Sequence, residues 1–171
     1  MLKTMERGGG GARAESAADA RRSRSFGDAE VNRNKPILVV DDNDSDVDLT
    51  VLAFKQAKLA NPIQVARDAE EALAWIPRWE AGEAKPVVIL LDINMPKVSG
   101  LEVLQALKKR PSLRSIPVVV LTTSSMKEDV RNAYAHGANS YIVKPVDFDG
   151  FMEVAKQIEL YWAGLNQIIE E

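Results

Sequence analysis

The chain has 171 residues, 46% of them hydrophobic, a formal net charge of −3 and no cysteine. One compact domain with tails fits that length; disulfides, thiolate metal sites and cysteine nucleophiles are excluded, and the mild acidity gives no general attraction to nucleic acid. The longest apolar runs, at 86–91 and 116–121, are far shorter than the roughly 20 residues of a membrane helix, and no secretory signal is evident, so a soluble cytoplasmic protein without a membrane partner is expected.

Residues 1–34 hold seven Lys/Arg against five acids, a glycine run at 8–11, and only Leu2, Phe26, Val31 and two methionines as large apolar groups. Such a segment cannot bury enough surface to offset its ordering entropy, which predicts a disordered tail. Arg21, Arg22 and Arg24 could meet an anionic partner, but a solvated leader is the simpler reading. A folded domain is expected over 35–160, with 161–171 as a helical extension or arm.

From Lys35 the pattern changes. Ile37, Leu38, Val39 and Val40 form an unbroken apolar run, which suits a strand buried on both faces. Residues 47–59 follow with helical spacing, stopped by Asn61-Pro62, with Asp44 or Ser45 as candidate N-cap. A second strand is expected at 63–66. Asp68 and Glu71 resemble a capping box opening a second helix, which Pro77 should kink or end near Ile76. The third strand lies at 86–91. Leu101, Val103, Leu104 and Leu107 mark a third helix closed by Pro111. The fourth strand lies at 116–121. Ser125 and Glu128 suggest another capping box, on a helix ending at Gly137. The fifth strand lies at 140–143, and a last helix starts near Asp147. Apolar strands alternating with helices specify a doubly wound parallel α/β sheet with helices on both faces. After Lys144 only 27 residues remain, too few for an output domain of the helix-turn-helix or catalytic kind.

Ligands of such sheets bind at the carboxyl ends of the strands. Here the first strand ends in Asp41-Asp42, the third in Asp92, the fourth in Thr122-Thr123 and the fifth in Lys144-Pro145; the second ends in Ala66-Arg67 and offers nothing comparable. Three carboxylates on one rim repel one another unless a cation joins them. Oxygen donors without Cys or a placed His favour a hard ion, Mg2+ first with Mn2+ tolerated. A carboxylate nucleophile, a metal, a lysine and a hydroxyl together suit phosphoryl transfer.

The blocks VVDDND (39–44), LLDINMPKVSG (90–100), VVLTTSS (119–125) and YIVKP (141–145) resemble the signatures of response-regulator receivers, in order and spacing, over residues 35–160. LTTSS, SYIVKPVDFDGF and the pair Tyr161-Trp162 are most similar to the single-domain regulators paired with bacterial phytochromes. The resemblance implies a five-stranded, flavodoxin-like sheet of order 2-1-3-4-5. It also implies Asp92 as phosphoacceptor, Asp42 as direct Mg2+ ligand, Asp41 as its neighbour acting through water, and the backbone carbonyl of Asn94 as a further ligand. Thr122 matches the switch hydroxyl, Tyr141 the aromatic that moves with it, and Lys144 the phosphate-contacting lysine, followed by a cis bond to Pro145. The implied function is a stand-alone receiver that takes its phosphoryl group from a sensor histidine kinase, with a bacteriophytochrome as the candidate the subgroup resemblance implies. The implied chemistry is self-catalysed phosphorylation and slow autodephosphorylation rather than turnover of a separate substrate.

Other readings are weaker. A haloacid-dehalogenase-type phosphatase using Asp42 is the enzyme alternative, but it leaves Asp92 unexplained. A non-phosphorylated interaction module is disfavoured by the complete residue set. The Asp42-to-Asp46 run imitates a calcium loop, with Val47 where glycine is needed and Ala53 where the glutamate belongs. His136, before Gly137, is expected to be solvent-exposed and not to take part in phosphotransfer. Trp75, Trp79 and Trp162 are expected to be ordinary amphipathic-helix residues. Ile158, Tyr161, Trp162, Leu165, Ile168 and Ile169 continue an apolar stripe past the last helix, which predicts a homodimer through the fourth helix, fifth strand, fifth helix and C-terminal arm. An arm folded back on its own domain is the alternative.

Overall fold

The computed structural model describes residues 34–166. The expectations for the tail before Asn34, and for Ile168 and Ile169, lie outside the described residues. In chain order the elements are β1 (Ile37–Val40), α1 (Asp44–Gln56), β2 (Ile63–Ala66), α2 (Ala69–Glu80), β3 (Val88–Leu91), α3 (Gly100–Lys108), β4 (Val118–Thr122), α4 (Lys127–Ala135), β5 (Ser140–Val143) and α5 (Phe148–Ile158), then a π-helical segment, Glu159–Leu165. The five strands are all parallel, in the order β2-β1-β3-β4-β5.

Each central strand buries both faces, which is why the sequence shows apolar runs rather than alternation. Leu38, Val40, Ile89 and Leu91 pack against Ile76 and Trp79 of α2 and Leu104 and Leu107 of α3. Ile37, Val39, Val88 and Leu90 turn the other way, against Phe54 of α1 and Phe151, Ala155 and Ile158 of α5. Ala133 of α4 packs with Ile93 and Val120. The register aligns the strand ends: Val40 pairs with Leu91, Leu91 with Val120, and Thr122 with Val143. Asp41, Asp92, Thr122 and Lys144 therefore leave the sheet side by side. The direction of winding reverses between β1 and β3, where a crevice must open.

Several local expectations are corrected. The α1 cap is Asn43, whose side chain accepts from Ser45 N (3.0 Å) and Asp46 N (3.3 Å). The helix ends at Gln56, before Asn61-Pro62, because Lys58 takes a φ of 59° and Leu59 N–H reaches back to Phe54 O (3.1 Å). Pro77 does not end α2. One hydrogen bond is lost, but Ala81 N–H still bonds Pro77 O (3.0 Å), Trp79 is buried and stacks on Trp75 (6.0 Å between centroids), and Arg78 lies 3.9 Å over the Trp75 ring. The N-cap of α4 is Met126, without a side-chain bond. Ser124 rather than Ser125 serves there: its Oγ accepts from Met126 N (3.3 Å) and donates to Asp129 Oδ2. Every peptide bond of the described residues is trans, including Lys144–Pro145, the form X-Pro bonds intrinsically favour. His136 is half-buried, its Nδ1 2.6 Å from Asn132 O, not exposed as expected.

Candidate functional site

Two strand ends and the first turn of α1 converge on one ammonium. Lys144, one residue beyond β5, is buried with its Nζ 2.8 Å from Asp41 Oδ2, 2.6 Å from Asp92 Oδ2 and 2.8 Å from Asp46 Oδ2. Oxygens of Asp41, Asp42 and Asp92 lie within 4.8 Å of one another, with Asp41 and Asp92 buried and Asp42 exposed. The second oxygens of Asp41 and Asp92 are held by backbone. Asn43 N–H donates to Asp41 Oδ1 (3.0 Å) and Asn94 N–H to Asp92 Oδ1 (2.9 Å). Burial acts first to lower the Lys144 pKa, but its bonds to Asp41, Asp46 and Asp92 outweigh that and raise it. Lys144 is therefore a permanent cation. The Asp41 carboxyl is raised: burial outweighs the opposing hydrogen bonds from Lys144 and Asn43.

Around this centre, Thr122 is fully buried and Thr123 is exposed, so only one of the two hydroxyls faces inward. Thr122 Oγ1 accepts from Asn94 Nδ2 (3.2 Å). Tyr141 is half-buried and donates its hydroxyl hydrogen to Ser124 O (3.0 Å). Burial pushes its phenol pKa upward, with the charges of Asp129 and Asp92 adding to the rise. The loop after β3 is closed by Ser99, which forms a capping box with Glu102 and donates Oγ–H to Ile93 O (3.1 Å). Gly100 packs so closely that a Cβ there would lie 2.0 Å from Asp92 O.

Asp41, Asp42, Asp92 and Lys144 are thus brought together with Thr122 beside them, while Thr123 turns away. Asp46 was missed. An acidic residue in a first helical turn ordinarily reads as a helix-dipole partner, and no local signal ties it to a lysine 98 positions away. The Asn94 side chain was missed as well, since only its backbone carbonyl was expected to matter. Arg67, after β2, ion-pairs with Asp44. Three clustered carboxylates with oxygen donors only fit around one hard cation.

Residues 37–156 match the family model described as the response regulator receiver domain. The chain belongs to the response-regulator receiver family. It is 40% identical over 132 residues to the probable methanogenesis regulatory protein FilR2 of Methanothrix harundinacea, covering 77% of this chain and 85% of that protein. It is 36% identical over 135 residues to response regulator Rcp1 of Synechocystis, covering 78% and 92%. Among solved structures, the phosphorylated cyanobacterial phytochrome response regulator RcpA superposes with a TM-score of 0.73 at 34% identity, covering 80% of this chain and 99% of that one. The Mn(2+)-bound form of Rcp1 gives 0.71 at 33% identity over the same shares. The bacteriophytochrome response regulator RtBRR gives 0.64 at 45% identity, over 78% and 83%. The similarity to phytochrome-associated regulators read from LTTSS and the late aromatic pair is therefore real. The haloacid-dehalogenase alternative is not supported; the family match and the place of Asp92 at the heart of the cluster both speak against it. Among the described residues no helix is long and apolar enough to cross a membrane.

Proposed function

We propose that the protein is a phosphoacceptor switch in which Asp92 receives a phosphoryl group from a sensor histidine kinase. The supporting observation is the buried Asp92 carboxylate at the end of the central strand, 2.6 Å from the Lys144 ammonium and clustered with Asp41 and Asp42. An Asp92 oxygen forms the new bond to phosphorus as the donor's phosphorus–nitrogen bond breaks and the histidine leaves. The Lys144 ammonium offsets charge on the phosphoryl oxygens, and the Thr122 hydroxyl, freed from Asn94, donates to one of them. Asp41, Asp42, Asp92 and the Asn94 carbonyl would hold Mg2+, or Mn2+ as in the Rcp1 relative. The cation, when bound, neutralises the charge gathered on the transferring group.

Thr122 moving toward phosphate vacates its place near Ser124, where Tyr141 is anchored, so the two residues form the readout. The phosphoryl group leaves again by autohydrolysis within the same site, so the protein signals rather than turning over a substrate. The likeness to RcpA, Rcp1 and RtBRR supports a phytochrome-type kinase as donor, in the cytoplasm. Exposed Met126, Tyr134, Val143, Leu160, Tyr161 and Leu165 support a homodimer through α4, β5, α5 and the segment beyond. Acetyl phosphate with Mg2+, followed by intact mass, tests the central claim. Wild type should gain one phosphate, EDTA should prevent it, and Asp92→Asn should gain none; undiminished labelling of Asp92→Asn sinks the assignment.

A further inference from the structure

Asp46 is not needed where an acidic residue in a first helical turn usually works. The α1 cap is supplied by the Asn43 side chain, and Asn43 N–H, which a third-position carboxylate could take, is already given to Asp41. The Asp46 carboxylate instead turns inward onto Lys144, 2.8 Å from Nζ, with its side chain 21% exposed. Lys144 does not depend on it, since Asp41 and Asp92 hold the same nitrogen at 2.8 and 2.6 Å.

Formal charge shows what Asp46 adds. Asp41, Asp42 and Asp92 with Lys144 sum to minus two, which one divalent cation cancels; Asp46 leaves the loaded site at minus one. Any phosphoryl donor reaching Asp92 is itself an anion. We propose that Asp46 is a selectivity residue for the phosphoryl donor, its carboxylate on Lys144 penalising donors in proportion to their negative charge. This rests on the phosphoacceptor reading of Asp92. The donors it discriminates against are small, freely diffusing, multiply charged acyl phosphates, which bring no positive surface of their own to offset the charge.

Two small donors separate charge from structure. At neutral pH acetyl phosphate is a dianion that loses acetate, and phosphoramidate is a monoanion that loses ammonia from a nitrogen already protonated. In both, the bond from phosphorus to the leaving group breaks as the bond to Asp92 forms. Labelling rates are read by intact mass, at low ionic strength and saturating Mg2+, for wild type, Asp46→Asn and Asp46→Glu. Asn keeps the shape and an acceptor for Lys144 while removing the charge; Glu keeps the charge. Asp46→Asn should speed labelling by acetyl phosphate about tenfold and by phosphoramidate about threefold, because Coulomb energy scales with the product of charges. Asp46→Glu should stay near wild type, and added salt should shrink the acetyl phosphate effect. Equal acceleration with both donors, no acceleration, a slowed Asp46→Asn, or a Glu variant that behaves like Asn would each overturn the proposal. If wild type is labelled and Asp92→Asn is not, such an outcome counts against the role of Asp46 alone; labelling of Asp92→Asn counts against the underlying reading.

Discussion

Asp41 carries its charge at a cost to the fold. Burial raises its carboxyl above the ordinary 3.8, against the lowering bonds from Lys144 and Asn43. A carboxyl with a higher pKa folded than unfolded binds its proton more tightly in the fold, so ionising it costs stability. That cost is absent below 3.8, grows as pH rises through the interval to the raised value, and is complete above it. Asp41→Asn removes the cost without orphaning Lys144, which keeps Asp46 and Asp92. In EDTA at pH 7 the variant should melt at a higher temperature than wild type. Melts toward pH 4 should show the gain shrinking, and Mg2+ should raise the Tm of wild type more than that of the variant. At this scale the strand-end residues were legible because the rule placing ligands at carboxyl ends acts on sequence position alone. Asp46 and the Asn94 amide were not. Each works through a partner brought near only by the fold, Lys144 for one and Thr122 for the other.

The elements were legible where apolar runs and periodicity decide them, and less so where one backbone angle or cap does. Strands of four apolar residues could be read directly, but nothing local distinguishes Asn43 from Asp44 as the cap of α1, or marks Lys58 for a left-handed turn. Pro77 misled because a helix tolerates one missing bond when tertiary packing holds both sides, and here Ile76 and Trp79 are buried in the core. Pro77→Ala restores a donor and should stabilise the protein by about 1–3 kcal/mol, the usual penalty for an internal proline. Denaturant titration checks this; an unchanged midpoint would mean the helix has adapted fully around the proline. Gly100→Ala should act the other way. Its Cβ would meet Asp92 O at 2.0 Å and Ile93 Cα at 2.8 Å, both backbone atoms that cannot swing aside. A loss of about 3 kcal/mol or more is expected from such overpacking. Labelling of Asp92 by acetyl phosphate should fall with it, since the clash displaces the strand end that carries the carboxylate.

At the scale of the whole molecule, the predicted apolar stripe divides. Ile158 is buried and Trp162 packs on the core shared by α1 and α5, its ring edge-on to Tyr161 at 4.8 Å, so part of the stripe serves its own domain. Leu160, Tyr161 and Leu165 stay exposed, and Leu160 and Leu165 border a groove of about 450 Å³ beside Lys58 and Asn61. Replacing Leu160, Tyr161 and Leu165 by Ser should turn a dimeric full-length chain monomeric in light scattering while leaving phosphorylation of Asp92 intact. A wild-type monomer, or a serine variant that still dimerises, would exclude this surface. The sheet itself restricts how two copies can meet. Both edge strands, β2 and β5, are only four residues long. Pro62 precedes β2 and the charged Arg67-Asp68 follows it, while Pro145 lies just beyond β5. Proline offers no N–H to a neighbouring strand, and charge beside an edge opposes backbone-to-backbone addition. The protein is thereby guarded against growing its ladder into fibrils at high concentration, and self-association is left to side chains, which can stop at two.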